Sequence, residues 1–209
     1  MNLPLLPHVN GRIRADLQLV ADLVPEGARV LDVGCGEGTL LHYLARQKKV
    51  DARGIEIRQA GVNACVQQGL SVVQGNAETD LVDYPSDGFD YVILSQTLQA
   101  MRDPRETLRE LLRIGKHAIV SFDNFGYWRA RLELFFRGRM PVADAPKHTW
   151  YDSDDIRPCT IHDFLVLCRD LSIAPERCFI VGPGGGTREV PTHSRLANLT
   201  GRQAVFLLK

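Results

Sequence analysis

Hydrophobic residues alternate between two spacings along this chain, and the alternation predicts the secondary-structure elements. Short runs rich in Val, Ile and Leu are typical of buried strands, whereas apolar residues three and four positions apart are typical of amphipathic helices. The helical spacing predicts helices over residues 11–23, 59–68, 105–114 and 161–171, with a further helix carrying Leu40, Leu41 and Leu44. The short runs rich in Val, Ile and Leu predict strands over residues 29–33, 50–57, 70–74, 89–94, 117–122, 177–181 and 203–208.

This order of elements predicts an α/β fold. Strands that are separated by helices form a mostly parallel sheet with helices on both faces. Ligands of such sheets bind outside the carboxyl ends of the strands. With 209 residues, 44% of them hydrophobic, the chain is long enough to bury one core, and we expect a single domain over residues 1–209.

The run VLDVGCGEG, residues 30–38, ends the first predicted strand in three glycines at alternate positions. Gly34, Gly36 and Gly38 carry no Cβ, so the backbone can turn sharply and lie against a flat ligand. Glu56 lies at the end of the next predicted strand, where its carboxylate can accept hydrogen bonds from both hydroxyls of a ribose. Asp32 suits a cofactor with an ammonium group, because a carboxylate would repel a pyrophosphate. Together these residues predict a site for S-adenosylmethionine.

Two other interpretations of the glycine run are weaker. A dinucleotide site has the pattern GxGxxG, whereas the glycines here fall as GxGxG and Thr39 stands at the third position, so the spacing favours S-adenosylmethionine over NAD. A turn that only connects a strand to a helix would explain one glycine, but not three glycines with two acidic residues. Cys35, inside the turn, is interpreted as a small filling side chain rather than a reactive thiol.

Two segments after the third and fourth predicted strands extend the site. Asn76, Ala77 and Glu78 can hold the adenine edge, but the same residues are typical of a turn that caps a helix, and both interpretations stay open. Gln96 is predicted at the mouth of the pocket, where it can contact the methionine part of the cofactor or a substrate. The predicted cofactor-binding residues are Asp32, Gly34, Cys35, Gly36, Gly38, Glu56, Ile57, Asn76, Ala77, Glu78 and Gln96.

Composition narrows the classes of partner. The chain has 25 Lys and Arg against 25 Asp and Glu, and a net charge of zero gives no general attraction to nucleic acid or to acidic membranes. The five cysteines contain no CxxC pair, which favours reduced thiols and no metal site. No segment approaches the ~20 apolar residues of a membrane span, and the amino terminus lacks a signal-peptide pattern. We expect a cytoplasmic protein that binds a small molecule or a protein partner.

Residues 123–152 are predicted to form an insertion after the fifth strand. Within it Trp128, Leu132, Phe135 and Phe136 repeat at helical spacing among several arginines. The more common arrangement would pack these aromatic side chains on the sheet, and the alternative would offer them, with the arginines, to a protein partner.

The end of the insertion holds a polar and aromatic group made of His148, Trp150, Tyr151 and Asp152. This group is interpreted mainly as an anchor to the sheet, with His148 as a base only if the insertion folds over the pocket. No catalytic residue is assigned.

Four segments of the chain together resemble the bacterial MetW family of methionine-biosynthesis proteins, a small group in the class I methyltransferase superfamily. They are VLDVGCGEGTLL, VILSQTLQAM, IVSFDNFGYWRARLELFFRGRMPV and WYDSDDIRPCTIHDFLVLC, and the resemblance runs from about residue 14 to residue 171. It implies a Rossmann-like fold with a seven-stranded sheet and a pocket for S-adenosylmethionine or S-adenosylhomocysteine (SAH). It also implies a role beside homoserine O-acyltransferase, as a partner that supports the activity of that enzyme.

The resemblance carries over to individual residues of the glycine turn. Asp32 and Glu56, with the three glycines, match the cofactor pattern of the superfamily, whereas Asn76 replaces a more usual acidic residue and Asp123 a proline. Two functions follow as hypotheses: a cofactor-binding regulatory partner of the acyltransferase, or an active methyltransferase that acts on a small metabolite.

Overall fold

The structure is a computed structural model, and it describes residues 13–141, 150–151 and 156–209. Helices and strands alternate along most of this length. The helices are α1 Ala15–Leu23, α2 Thr39–Lys48, α3 Gln59–Gln67, α4 Ala77–Asp80, α5 Pro104–Ile114, α6 Trp128–Arg137, α7 Ile161–Asp170 and α8 Arg195–Thr200. The strands are β1 Arg29–Val33, β2 Asp51–Glu56, β3 Ser71–Gln74, β4 Phe89–Ser95, β5 Gly115–Asp123, β6 Pro175–Val181, β7 Thr187–Val190 and β8 Gln203–Leu208.

All eight strands belong to one sheet with the order β3-β2-β1-β4-β5-β8-β6-β7. Strands β1 to β5 pair in parallel, β8 lies antiparallel between β5 and β6, and β7 pairs antiparallel with β6 at the edge. The α/β prediction is confirmed, with one more strand than the seven expected. Sequence periodicity missed β7 because three of its four residues are exposed and its sequence, TREV, has no apolar run.

Apolar layers cover both faces of the sheet. On one face the rings of Phe122 in β5, Phe164 in α7 and Phe206 in β8 pack together, with centroids 4.7 to 6.0 Å apart. On the other face, Val20 of α1 and Leu44 of α2 are fully buried in a second cluster. The predicted helices on both faces are therefore confirmed. None of the helices in the described ranges has the length and apolar character that crossing a bilayer requires.

The order of strands reverses at β1, which has β2 on one side and β4 on the other. The loops that leave β1 and β4 therefore run to opposite sides and open a crevice at the carboxyl edge of the sheet. The glycine turn follows β1, and Gln96 follows β4, so this crevice is where the predicted site residues meet.

A buried amide joins the loop after β5 to the carboxyl-terminal part of the chain. Asn124 donates hydrogen bonds from Nδ2 to the carbonyls of Asn198 and Gly201, at 2.9 and 2.8 Å. Its Oδ1 accepts from the backbone N–H groups of Gly126 and Ile161, at 3.0 and 3.1 Å. The start of the predicted insertion, the start of α7 and the end of α8 are thus fixed by one side chain. Residues 142–149 and 152 of that insertion lie outside the described ranges.

Candidate cofactor site

The glycine turn after β1 is held close to two neighbouring strands. The N–H groups of Gly34 and Cys35 donate to the carbonyl of Ile55 in β2, at 2.8 and 3.2 Å. Gly34 has φ +75°, and a Cβ built on it would lie 2.8 Å from the side chain of Thr97, which follows β4. Only glycine fits where the loops after β1 and β4 approach so closely. The following helix, α2, begins at Thr39, directly after Gly38, whose backbone adopts the left-handed conformation.

Glu56 ends β2 at the predicted place, and its carboxylate holds the glycine turn. The side chain is only 4% exposed. Oε2 accepts a hydrogen bond from the N–H of Gly36 at 2.8 Å, and Oε1 accepts from the N–H and Nε of Arg58, at 2.9 and 3.3 Å. A carboxylate has about four acceptor positions, so Oε2 keeps one for a ribose hydroxyl. Besides the ribose contact that the sequence predicts for it, Glu56 thus fixes the glycine turn, a role that no sequence pattern indicates.

Asp32 is the second acidic residue of the site, and it is buried without compensation. It is 3% exposed, and no hydrogen bond is among the causes that shift its pKa. Burial, followed by the negative charge of Glu56, raises the pKa of Asp32 from its ordinary value of 3.8 to about 7. A buried carboxylate without a donor is costly as an anion and favours a cation beside it. The ammonium group of S-adenosylmethionine fits this requirement.

Cys35 is a buried filling residue, in agreement with its interpretation from the sequence. Its Sγ would lie 2.7 Å from a Cβ added to Gly54, so the thiol occupies the space left by that glycine. Burial, and after it the charge of Asp32, raises the pKa of the Cys35 thiol well above its usual range. The thiol therefore stays protonated and is a poor nucleophile.

Gly61, in α3, is a further site residue, and the sequence analysis did not select it. A Cβ there would lie 2.7 Å from the carbonyl oxygen of Gly36 and 2.9 Å from Cγ of Glu56. The start of α3 thus packs directly on the turn and on the side chain that holds it. The available signal was an isolated glycine inside a helical pattern, which usually has a packing reason.

The segment after β3 forms a helix cap, one of the two interpretations left open for it. Oδ1 of Asn76 accepts a hydrogen bond from the N–H of Glu78 at 3.0 Å and caps α4. The carboxylate of Glu78 in turn accepts from the N–H groups of Arg102 and Asp103. Ala77 is half-buried between them. The N–H of Asn76 donates to Oδ2 of Asp80 at 2.9 Å, and its carbonyl accepts from the N–H groups of Thr79 and Asp80. Both polar side chains and the backbone of Asn76 therefore have structural partners, which leaves Ala77 as the residue of this segment that can meet an adenine.

Ile57 and Gln96 lie at the two ends of the crevice. Ile57 follows Glu56, and its side chain is 60% exposed. It is therefore accessible for an apolar contact with a flat ring. Gln96 has φ +55°, and its N–H donates to the carbonyl of Ser121 in β5 at 2.9 Å. Its side-chain amide lies 3.5 Å from Oγ of Ser121. This strained backbone fixes the loop after β4 against β5.

The polar and aromatic group at the end of the insertion is only partly described. His148 and Asp152 lie outside the described residues, so the hypothesis of a base at His148 stays a prediction. Trp150 and Tyr151 are 72% and 69% exposed, and they contact each other edge to face. The interpretation of these two aromatic side chains as an anchor to the sheet is therefore wrong.

Comparison with known proteins agrees with this geometry. The profile of the family described as "Methionine biosynthesis protein MetW" matches residues 14–208. The chain belongs to the MetW family. A relative from Rhodopirellula baltica, the bifunctional methionine biosynthesis protein MetXA/MetW, is 33% identical over 170 residues, which make up 77% of this chain and 27% of the relative. The chain thus spans about a quarter of that bifunctional protein.

Solved methyltransferases share the fold of this MetW-family chain. A possible histamine N-methyltransferase from Thermotoga maritima superposes with a TM-score of 0.69 at 19% identity, over 93% of this chain and 87% of that one. The plantazolicin methyltransferase BamL, solved in complex with SAH, superposes with a TM-score of 0.63 at 16% identity, over 93% and 84% of the two chains. These similarities show a class I methyltransferase fold.

The contact between Gly34 and Thr97 can be tested against a glycine of the same conformation. Gly69 has φ +72°, close to that of Gly34, but a Cβ added to Gly69 would meet nothing within 4 Å. Alanine at either position accepts a left-handed backbone, which costs about 1–2 kcal/mol. We expect Gly34→Ala to lower the free energy of unfolding in urea by roughly 2 kcal/mol more than Gly69→Ala, because of the collision. Adding Thr97→Ala should recover most of this difference, and equal losses in the two single variants would contradict the proposed packing.

The unusual pKa of Asp32 predicts how stability depends on pH. The folded protein holds this proton more tightly than the unfolded chain, so the free energy of unfolding falls as pH rises from about 4 to about 7, and the loss is complete above that range. Asp32→Asn removes the titration. Its stability relative to wild type should rise by about 2 kcal/mol between pH 5 and pH 7 and then level off. Urea unfolding across this range measures the difference, and parallel profiles for the two proteins would exclude the buried, unpaired carboxylate.

Proposed function

We propose that this MetW-family chain binds S-adenosylmethionine or SAH in the crevice and supports a homoserine O-acyltransferase as its regulatory partner. The observation that carries the cofactor assignment is a pair of buried carboxylates beside the glycine turn. Glu56 accepts a hydrogen bond from the turn, whereas burial and the charge of Glu56 raise the pKa of Asp32. S-adenosylmethionine would bring a sulfonium that carries a transferable methyl group. In this proposal Asp32 receives the ammonium group and Glu56 the ribose.

The remaining predicted residues have separate roles in the proposal. Ile57 and Ala77 would contact the faces of the adenine, and the backbone at Ala77 would meet its edge. Gln96, fixed against Ser121, would close the methionine end. The glycine turn, the segment after β3 and Gln96 are held by protein contacts that exist without a ligand, so these parts of the chain lose little freedom when a ligand binds.

The partnership rests on the bifunctional MetXA/MetW relative. Fusion places two functions at a high effective concentration, and natural fusions of this kind suit proteins that act together. We take the MetXA part of that relative to be the acyltransferase that the resemblance implies. A bound ligand alters such a partner only when it binds the free and the complexed forms with different affinity. The activity of the acyltransferase would thereby depend on whether the cofactor site is occupied.

A second function, methyl transfer to a small metabolite, is favoured by a cavity of about 340 Å³. It lies between α6 and the ends of β5 and β6, and Asp123, Glu133, Arg129 and Arg202 are among its lining residues. Ligands of parallel sheets bind at this edge. The mixed charges of the lining suit a polar metabolite that carries both signs.

The cofactor site can be tested by isothermal titration calorimetry with S-adenosylmethionine. We expect Ile57→Asp to weaken binding about tenfold or more, because it sets a carboxylate where an apolar ring contact is proposed. Val82→Asp is the matched control, since Val82 is 67% exposed and far along the chain from the turn. Equal binding by both variants would move the site elsewhere, and no binding of millimolar ligand to wild type would refute the cofactor assignment.

Two further measurements separate the candidate functions. Co-elution with a separately purified homoserine O-acyltransferase, together with a rise in its activity, is expected of a regulatory partner. Release of labelled methyl groups to members of a metabolite panel, without the acyltransferase, is expected of an active methyltransferase. Absence of co-elution would contradict the proposed function, whereas methyl transfer would support the alternative.

A further inference from the structure

The helix α6 carries its apolar side chains on the solvent side. Trp128, Leu132, Phe135 and Phe136 lie four, three and one positions apart and so form one stripe along the helix. They are 41%, 42%, 80% and 75% exposed, and no residue of α6 is buried. The packing interpretation made from the sequence is therefore wrong, and the stripe is open to a partner.

The side of α6 that faces the protein body is not the one that carries the aromatic stripe. Ala130 and Glu133 are its least exposed residues, and both line the cavity that Asp123 and Arg202 also line. Positions 130 and 133 lie on the opposite side of the helix from the apolar stripe. An ordinary surface helix shows the reverse arrangement, with its apolar stripe toward the core. A partner protein that packs on α6 would bury this apolar stripe.

Arginines border the stripe on both sides. Arg129 lies over the Trp128 ring, with its guanidinium carbon 5.2 Å from the ring centroid. On the other border, Nε of Arg131 donates to the carbonyl of Gly126 at 2.6 Å, which holds that side chain in place. Aromatic residues flanked by arginines are the composition of interface hot spots.

The apolar area that the stripe exposes is large enough to contribute to a protein interface. Taking about 150–250 Å² for a large apolar side chain, the four residues of the stripe expose on the order of 500 Å². Contiguous apolar patches of that size on a protein surface mark interaction sites. The stripe is therefore a candidate for about half of one side of a standard interface.

We infer that this stripe is the surface on which the homoserine O-acyltransferase docks, an inference that rests on the function proposed above. The fused MetXA/MetW relative supplies the identity of the occupant. A second copy of this chain is a poor occupant, because a two-fold contact through α6 would bring its own arginine borders together. The partner surface that fits is an apolar groove with carboxylates along its edges.

The test compares full-length variants in binding to a separately purified acyltransferase, by interferometry and by size-exclusion chromatography. Phe135→Ser with Phe136→Ser should weaken binding about 30-fold or more, the loss expected of a hot-spot pair. Val66→Ser with Val82→Ser is the matched control, since these residues are 59% and 67% exposed. Arg129→Glu should slow association and reduce its dependence on salt. Urea unfolding should show no loss of stability, because the replaced rings are already exposed.

The outcomes distinguish the surface from the partnership. Wild-type binding that the phenylalanine variant retains in full would refute the docking surface and leave the partnership intact. No binding by wild type would refute the partnership and, with it, this inference. Two other results would assign the stripe to another occupant and also overturn the inference. One is concentration-dependent self-association that is lost only in the phenylalanine variant, and the other is binding to anionic phosphatidylglycerol vesicles that is lost only in that variant. Calorimetry with S-adenosylmethionine should give the same affinity for wild type and variant throughout.

Discussion

The hydrogen bonds of the Glu56 carboxylate fix the turn after β1 against the end of β2, and the rest of the candidate site is arranged around them. A buried charge is costly unless donors surround it, and here the N–H groups of Gly36 and Arg58 supply them. Once Gly36 is held, Gly61 can pack on its carbonyl oxygen, and Gly34 is brought against Thr97. One carboxylate thus sets the distances among the loops that follow β1, β2 and β4.

Asp32 is as buried as Glu56, but burial and the charge of Glu56 raise its pKa to about 7, so its charged form is disfavoured. Two buried carboxylates in one crevice repel each other, so the binding of a positively charged group between them is favourable. The fold alone would not require this, since an apolar residue at position 32 would pack at no electrostatic cost. The cationic ligand of the proposed function would offset this cost, and the MetW membership of the chain and its methyltransferase fold agree with that proposal.

Most of the sheet was predictable from the sequence, because β1 to β6 and β8 contain short apolar runs, buried in all of them except β3. Each predicted boundary lies within two residues of the observed one. The polar edge strand β7 and the short helix α8 carry no such pattern and were missed. The glycines of the turn and Glu56 were found because their residue types are demanded by backbone geometry and by hydrogen bonding. The partners of Glu56, the packing of Gly61 and the outward stripe of α6 were not predictable, because they depend on which side of an element meets a neighbour far away in the sequence.

The central claim is that the crevice at the carboxyl ends of β1 and β2 is a preformed site for S-adenosylmethionine. Hydrogen–deuterium exchange, followed by mass spectrometry with and without millimolar S-adenosylmethionine, tests it most directly. The account predicts slower exchange in peptides that cover residues 33–38, 56–58, 76–78 and 96–97, with α6 unchanged. Slower exchange confined to other segments, or no change anywhere, would contradict it.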